Sequence, residues 1–347
     1  MRDPAFWWRK RSLLALPLRP VAAVYGFVAG RRMRRRGERV GIPVICVGNL
    51  TVGGAGKTPT ALAIGRILIA AGARPYFLSR GYGGSFAGPI RVDPLKHRAR
   101  DVGDEPLLLA QVCPTIVAAD RVAGARAARD AGATVIVMDD GFQNPSLRKD
   151  LALVVVDGRR GIGNGHVLPA GPMRAPLARQ LAQADAVLVV GKGDGKGAGA
   201  ARVIEQARGR GLPIFQGQLA PNPAAAWALA GQRVVAFAGI GDPEKFFQTI
   251  TAAGITARVR LSFPDHHRYT RADASKILAL TSHGDLQLLT TEKDHARMKN
   301  DPAVSELAGR SKTLPVALTL DDEDAFRQWV LSLLSRSKPA AAGTART

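Results

Sequence analysis

From Pro43 onward, short unbroken apolar runs alternate with stretches in which apolar residues recur every three or four positions. An unbroken run of four to eight fits a strand buried on both faces, and the three-to-four spacing fits a helix with one buried stripe. "PVICVGNL" (43–50) predicts the first strand, and "TPTALAIGRILIAAG" (58–72) a helix stopped by glycine. "RPYFLSRGYGG" reads as strand then loop, "DEPLLLAQVC" as helix, "PTIVAA" as strand and "DRVAGARAARDAG" as helix. "ATVIVMDDGFQ" is a strand ending in two acids, and "LALVVVDG" and "ADAVLVVG" are two further buried strands. This alternation predicts an α/β fold built on a mainly parallel, doubly wound sheet.

The pattern changes after "GKGDGKGAGAA" (191–201), which reads as a flexible connection. "PIFQGQLAPNPAAAWALAGQ" mixes alternation with prolines and reads as a link. A second, smaller α/β series follows: "RVVAFAGIGDPEKFFQTITAAG", "ARVRLSFPDHHRYT", "RADASKILALTSHG" and "LQLLTTEKDHARM". The expected units are an arm over 1–40, a main α/β domain over 41–215, a second lobe over 216–336 and a disordered tail over 337–347.

Composition changes the picture mainly at the N-terminus. The chain has 347 residues, 46% of them apolar, which is enough for a full core. Cys46 and Cys113 stand singly in apolar runs, which fits a reducing compartment, and the six histidines show no metal-ligand spacing. The net charge is +21, and residues 1–40 hold eleven Lys or Arg against Asp3 and Glu38. Such a block calls for an anionic partner. The apolar stretch from Ser12 to Gly30 is interrupted by Pro17, Arg19 and Pro20. A central arginine costs about 2.5–3.5 kcal/mol on insertion scales, which argues against a spanning helix. No small-residue cleavage site precedes the arginine cluster, so a signal peptide fits poorly. Trp7, Trp8, apolar faces and flanking arginines suit a helix or helix pair lying in a membrane interface; the plain alternative is a solvated basic arm. Apart from the two tryptophans, no aromatic residues interleave with the basic ones as base stacking would need, so nucleic acid is not expected as a partner. No obligate protein partner is evident.

"GNLTVGGAGKTPT" lies between the first strand and the first helix. Gly53, Gly54 and Gly56 allow backbone N–H groups to close round phosphate oxygens, Lys57 supplies positive charge, and Thr58 offers a hydroxyl to Mg²⁺ at a helix N-terminus. Thr51 stands where the usual spacing has its first glycine, which predicts an unusual loop shape. A phosphate loop needs a further carboxylate for Mg²⁺, and Asp139, after four apolar residues, is the candidate, with Asp140 beside it. Asp104 and Glu105 in "DVGDEP" stand at a loop-to-helix start, as a proton acceptor for a hydroxyl or as a helix cap. "SFPDHHRY" and "LTTEKD", with Lys293, are weak signals alone: vicinal histidines are often surface residues, and Glu-Lys-Asp can be a surface ion-pair patch.

Together, "VGNLTVGGAGKTP", "SRGYGG", "VGDEP", "MDDGFQ", "LPAGPMR", "FPDHH" and "TTEKD" resemble, in order, the tetraacyldisaccharide 4'-kinase family of the lipid A pathway in Gram-negative bacteria. The likeness runs from the arm to about residue 330, and the Thr51 departure is part of that family's pattern. It implies a P-loop NTPase-like kinase of two α/β lobes with an N-terminal helical arm. The reaction implied is transfer of the ATP γ-phosphate, with Mg²⁺, to the 4'-hydroxyl of an acylated glucosamine disaccharide 1-phosphate. The place implied is the cytoplasmic face of the bacterial inner membrane, where the arm meets an anionic lipid surface. By motif, Asp104 is the base and His266 its supporting histidine. Thr51, Gly53, Gly54, Ala55, Gly56, Lys57 and Thr58 bind ATP, and Thr58, Asp139 and Asp140 organise the metal. Arg80, Glu105, Arg121, Gln143, Arg174 and Lys293 are phosphate or substrate contacts. The family commonly has a carboxylate after the arginine of "PAGPMR"; here Ala175 takes that place, followed by Pro176. The second lobe would close as a jaw that delivers His266 to Asp104.

The rival from another class is a P-loop regulatory GTPase or ATPase of the metal-chaperone or partitioning type. No N-K-x-D guanine-reading motif is present, and "TTEKD" lacks the asparagine. A nucleic-acid-binding ATPase would spread its charge along a groove, whereas this charge concentrates in the arm.

Overall fold

The computed structural model of the chain describes residues 4–9, 12–191, 198–281 and 286–336. Two short 3-10 turns, Ala5–Trp8 and Leu13–Ala15, lead into α1 (Arg19–Met33). The larger lobe opens with β1 (Val44–Asn49), α2 (Lys57–Ala70), β2 (Pro75–Ser79), β3 (Ile90–Arg91), α3 (Ala99–Val102) and α4 (Asp104–Leu109). It continues through β4 (Thr115–Val117), α5 (Arg121–Asp130), β5 (Val135–Asp139), β6 (Leu151–Asp157), α6 (Leu177–Leu181), β7 (Ala186–Val190), α7 (Ala198–Arg208) and β8 (Ile214–Pro221). The second lobe holds α8 (Pro223–Leu229), β9 (Arg233–Ala238), α9 (Pro243–Ala252), β10 (Thr256–Ser262), α10 (Arg271–Ala279), β11 (Gln287–Thr290), α11 (Glu292–Met298), α12 (Ser305–Arg310) and β12 (Ser311–Thr313). The chain then returns to the larger lobe with β13 (Val316–Leu320) and α13 (Glu323–Arg336).

The main sheet runs β13-β8-β7-β6-β1-β5-β2-β4-β3. It is parallel except at its two edges, where β13 pairs antiparallel with β8 and β3 with β4. The unbroken apolar runs explain the burial: every residue of β1, β5, β6 and β7 is buried because helices cover both faces. Alternate residues of β1 divide between the layers. Val44 and Cys46 pack with Ala125, Leu181 and Val203 on one side. Ile45 and Val47 pack with Ile64, Leu68, Phe326 and Val330 on the other. The second sheet, β10-β9-β11-β12, is wholly parallel.

The expected boundary at 215/216 falls elsewhere. β8, read as part of a link, is a strand of the main sheet, and β13 and α13 belong to the larger lobe. The second lobe is an insertion over roughly 222–315, joined by two crossings. The cause is an edge strand: β8 is only half-buried, and pairing with β13 satisfies its free backbone groups while Phe326, Val330 and Leu333 of α13 cover the sheet face. The expected connection over 191–201 lies partly at 192–197, outside the described residues, and its end starts α7. The expected tail over 337–347 also lies outside them.

In the arm, α1 turns Ala22, Gly26, Gly30 and Met33 inward. An added Cβ at Gly26 would lie 3.4 Å from Pro176 Cγ, and one at Gly30 3.3 Å from Arg179 Cγ, so small residues let the helix seat closely on the lobe. Val21, Val24, Tyr25, Phe27 and Val28 face outward and are exposed. Among the described residues no helix is long and apolar enough to cross a membrane.

Candidate active site

The phosphate loop leaves the C-terminal end of β1. Thr51 is no flexible hinge: it forms an antiparallel bridge with Met173, while Val52 N donates to Pro172 O at 2.9 Å and Arg174 N to Leu50 O at 2.9 Å. The missing glycine is therefore an extended residue zipped to the "PAGPMR" segment, which brings Arg174 to the loop. Farther on, Gly56 has φ 93°, a left-handed conformation glycine adopts without steric cost, and it caps α2 so that Lys57 and Thr58 open the helix. An atom added at Gly54 would meet nothing within 4 Å, so the protein does not fill that side of the loop. Asn49 Nδ2 donates to Gly53 O at 3.0 Å and Lys57 Nζ to the same oxygen at 3.4 Å, which fixes the loop's curvature. Ala55 is buried against the α2 and α13 layer.

β5 ends opposite, and its two acids have different surroundings. Asp139 is 1% exposed; its Oδ2 accepts from Thr58 Oγ1 at 3.2 Å, and its Oδ1 is buried without a partner. Burial, reinforced by the negative charge of Glu105, pushes its carboxyl up to about 7. Asp140 is left-handed, φ 53°. Arg174 grips it with two hydrogen bonds, 2.7 and 3.1 Å, and Lys57 Nζ lies 3.7 Å away. Burial raises its carboxyl, but Lys57 and Arg174 outweigh that and hold it at about 2. Among the described residues no three His, Cys, Asp or Glu gather as a metal cage. Mg²⁺ held together with a nucleotide needs only one or two protein oxygens. The orphaned Asp139 Oδ1 beside the Thr58 hydroxyl fits that demand; Asp140, committed to Arg174, fits it less well.

Three expected phosphate contacts behave differently from one another. Gln143 bridges: its Nε2 donates to Asn49 O at 2.7 Å and Gln180 Oε1 at 2.9 Å, and its Oε1 accepts from Arg174 at 3.3 Å. It is placed to orient Arg174. Arg121 is 3% exposed and donates to Ala118 O and, at 3.4 Å, to Asp140 O, leaving Nε buried without a partner. Arg80 is exposed and makes no hydrogen bond or ion pair among the described residues.

The other side of the site lies where α4 meets α11. Gly103, φ 89°, turns the chain so that Asp104 begins α4, buried to 4% exposure. Asp104 Oδ1 accepts from Glu105 N at 2.9 Å, a local contact within the first turn, since Gly103 holds the cap position. Its Oδ2 meets His266 Nδ1 at 3.3 Å and Arg297 Nε and Nη2 at 2.7 Å each. Burial raises the Asp104 carboxyl, but the hydrogen bond from His266 and the charges of Arg297 and Lys293 hold it well below the usual range. That same hydrogen bond raises His266 above its ordinary value. His266 is left-handed, φ 56°, and Tyr82 meets its ring edge-on at 5.4 Å. Two site residues, Asp140 and His266, thus hold a conformation that costs a side-chain-bearing residue energy.

Glu105 and Lys293 pair with each other at 2.6 Å across the lobes. Lys293 and, more weakly, Lys57 hold the Glu105 carboxyl down against burial. The vicinal histidines separate. His267 stacks on Phe263 at 4.7 Å and meets Asp273 at 3.1 Å, a packing role. Arg297 carries none of the quoted motifs; its only signal is its place three residues after Asp294 on the helix that "TTEKD" opens. Asn49, which holds the loop, lies inside "VGNLT" but has no charge to mark it.

The sequence pattern of the family described as tetraacyldisaccharide-1-P 4'-kinase matches residues 14–335. The chain belongs to that family. It is 51% identical over 338 residues to the tetraacyldisaccharide 4'-kinase of Rhodopseudomonas palustris (strain BisA53), covering 97% of both chains. It is 54% identical over 326 residues to that of Methylobacterium sp. (strain 4-46), covering 94% of this chain and 95% of the relative. Among solved structures it resembles LpxK from Aquifex aeolicus, crystallised in complex with ATP, with a TM-score of 0.71 and 25% identity over 94% of this chain and 99% of that one. The regulatory GTPase or ATPase reading is thereby set aside. In this 4'-kinase, Ala175 is fully buried and its carbonyl accepts from Gln180 Nε2 at 2.7 Å, so the usual carboxylate has no side chain in its place.

Proposed function

We propose that the chain transfers the γ-phosphate of ATP to the 4'-hydroxyl of tetraacyldisaccharide 1-phosphate, with the chemistry divided between the two sides described above. The observation that carries this division is the Asp104–His266 pair, 3.3 Å apart, formed by residues of different lobes. Phosphoryl transfer depends on positioning and on charge stabilisation more than on covalent chemistry. Lys57 and the loop amides from Gly53 to Thr58 bind donor phosphates at the start of α2, where the helix dipole favours anions. Thr58 and Asp139 would hold Mg²⁺, which when bound draws charge from the phosphoryl group. Arg174 and Arg121 add positive charge beside Asp140. Asp104 orients the acceptor hydroxyl and takes its proton with the support of His266. Glu105 and Lys293, paired with each other, shape the floor between donor and acceptor.

The arm suits the cytoplasmic face of the inner membrane. Its outward apolar face borders a groove of about 680 Å³ lined by Phe27, Val28, Arg31, Arg32, Arg34 and Arg35. Apolar residues beside arginines that make no ion pair among the described residues match an interface of acyl chains and anionic headgroups. Flotation with phosphatidylglycerol vesicles, but not phosphatidylcholine vesicles, is the expected result; equal flotation with both would sink the charge argument.

The deciding assay follows label from γ-labelled ATP into tetraacyldisaccharide 1-phosphate in detergent micelles with Mg²⁺. Labelled lipid from wild type, abolished in Lys57→Ala and strongly reduced in Asp104→Ala and His266→Ala, supports the reading. Nucleotide hydrolysis without lipid labelling in wild type refutes it.

A further inference from the structure

Arg297 lies outside every motif that marks the site, yet it makes the shortest contacts to the Asp104 carboxylate. It is 5% exposed along its side chain. Its Nε donates to Asp104 Oδ2 at 2.7 Å, its Nη2 lies 2.7 Å from the same oxygen without hydrogen-bond geometry, and its Nη1 donates to Gly239 O and Asp294 Oδ1 at 2.6 Å. Asp294 is fully buried and held in turn. Gly239 N donates to both its oxygens at 3.1 Å, Tyr269 Oη donates at 3.0 Å and Thr291 Oγ1 at 2.6 Å. A second-lobe network thus fixes one end of a guanidinium whose other end enters the larger lobe.

A gain in stability is a poor explanation for such an arrangement. Buried ion pairs give up hydration for their attraction, and well-packed apolar residues often stabilise as much. What a planar, five-donor guanidinium does supply is direction, which an ammonium cannot. With Oδ1 tied to Glu105 N and Oδ2 to Arg297, the Asp104 carboxylate cannot rotate about its own axis. We infer that Arg297 is a positioning residue for phosphoryl transfer, fixing the plane of the Asp104 carboxylate toward the acceptor hydroxyl only when the second lobe is seated. This rests on the kinase reading above. It makes seating of the lobe a condition of Asp104 being aimed, and so ties lobe closure to the chemical step.

The test is steady-state lipid phosphorylation by the full chain, comparing wild type, Arg297→Ala, Arg297→Lys, Asp104→Ala and the Asp104→Ala/Arg297→Ala double variant, with and without added guanidinium ion. Melting temperatures are measured alongside. Arg297→Ala is expected to lower kcat about 10²-fold, the order that misplacement of a reacting group costs, with little change in KM for ATP. Guanidinium is expected to restore part of that loss, and Arg297→Lys to remain impaired although its charge is kept. In the Asp104→Ala background the second substitution is expected to add no further loss, because Arg297 acts through Asp104. Wild-type kcat in Arg297→Ala would overturn the inference. So would a loss without guanidinium rescue accompanied by raised KM for ATP and lowered melting temperature, or a full additional loss in the double variant. A wild type that labels no lipid would instead refute the kinase reading itself.

Discussion

Lys57, Thr58, Asp139, Asp140 and Arg174 stand on a strand end, loops or helix starts around the nine-stranded sheet, and every contact between them is made within the larger lobe. Asp104 stands on the same lobe, but both side chains that grip it, His266 and Arg297, come from the inserted lobe. On the proposed roles, the donor side is complete without the insertion, and the acceptor side is not. Nucleotide binding and phosphoryl transfer should accordingly be separable by mutation, the first insensitive to the seating of the second lobe and the second dependent on it.

The sharpest division comes from two single substitutions. Asp104→Ala is expected to lower kcat by about 10²–10⁴-fold, the usual range for a general base, while leaving ATP affinity intact. Lys57→Ala is expected to lose both, as read by calorimetric titration of nucleotide beside the lipid-labelling assay. If Asp104→Ala weakened nucleotide binding as much as Lys57→Ala does, the two sides would not be independent.

A smaller effect is expected from Lys293→Met, which leaves Glu105 without its interlobe partner. A fall in kcat of about tenfold with ATP affinity retained fits a modest misplacement across the lobe junction. An unchanged kcat would mean that the Glu105–Lys293 pair plays no part in seating the lobe.

The remote side of the junction should matter least. There Arg159 and Arg160 pair with Asp242, and Lys245 with Asp157 at 3.2 Å, in a more exposed setting. Exposed ion pairs contribute about 0–1 kcal/mol, so Asp242→Ala should change kcat less than about fivefold. A drop as deep as that of Arg297→Ala would move the decisive contact to this side.

Acidity offers a graded way to loosen the acceptor side. His266 is raised, first by its hydrogen bond with Asp104, so its contribution is complete below its ordinary value of 6.5 and lost as pH rises through the raised value. Asp104 is depressed, so its contribution is present above 3.8 and lost only as pH falls through its lowered value. Asp265, 3.9 Å from His266, adds to the upward shift and Arg297 opposes it. The difference in melting temperature between wild type and His266→Gln should therefore narrow from about pH 5 to about pH 9. A gap that stayed constant or widened would remove His266 from the interlobe contact.

Much of the donor side was legible because it is local. A glycine loop, Lys57 and Thr58 must adjoin one strand and one helix, and an apolar run must deliver Asp139 beside them, so pattern and chemistry coincide in short stretches. The Thr51 substitution was visible but not its cause, since the bridge to Met173 joins residues far apart in the chain. His266 could be named only through resemblance to a family; beside His267 nothing in "FPDHH" says which ring meets Asp104 and which stacks on Phe263. The lobe boundary was misplaced because β8 lacks the unbroken apolar run of the buried strands, and its partner β13 arrives about a hundred residues later.

By itself the sequence determined the buried parallel sheet, the phosphate loop and the two acids at the end of β5, because burial on both faces and close backbone turns leave direct marks in residue type. Only the tertiary structure decided that Asp139 keeps an unpartnered oxygen while Asp140 is held by Arg174, and that Arg297 and His266 converge on Asp104. Those outcomes depend on which charges come within a few ångströms after folding. Such distances are set by packing between segments up to 193 positions apart, which no local pattern encodes.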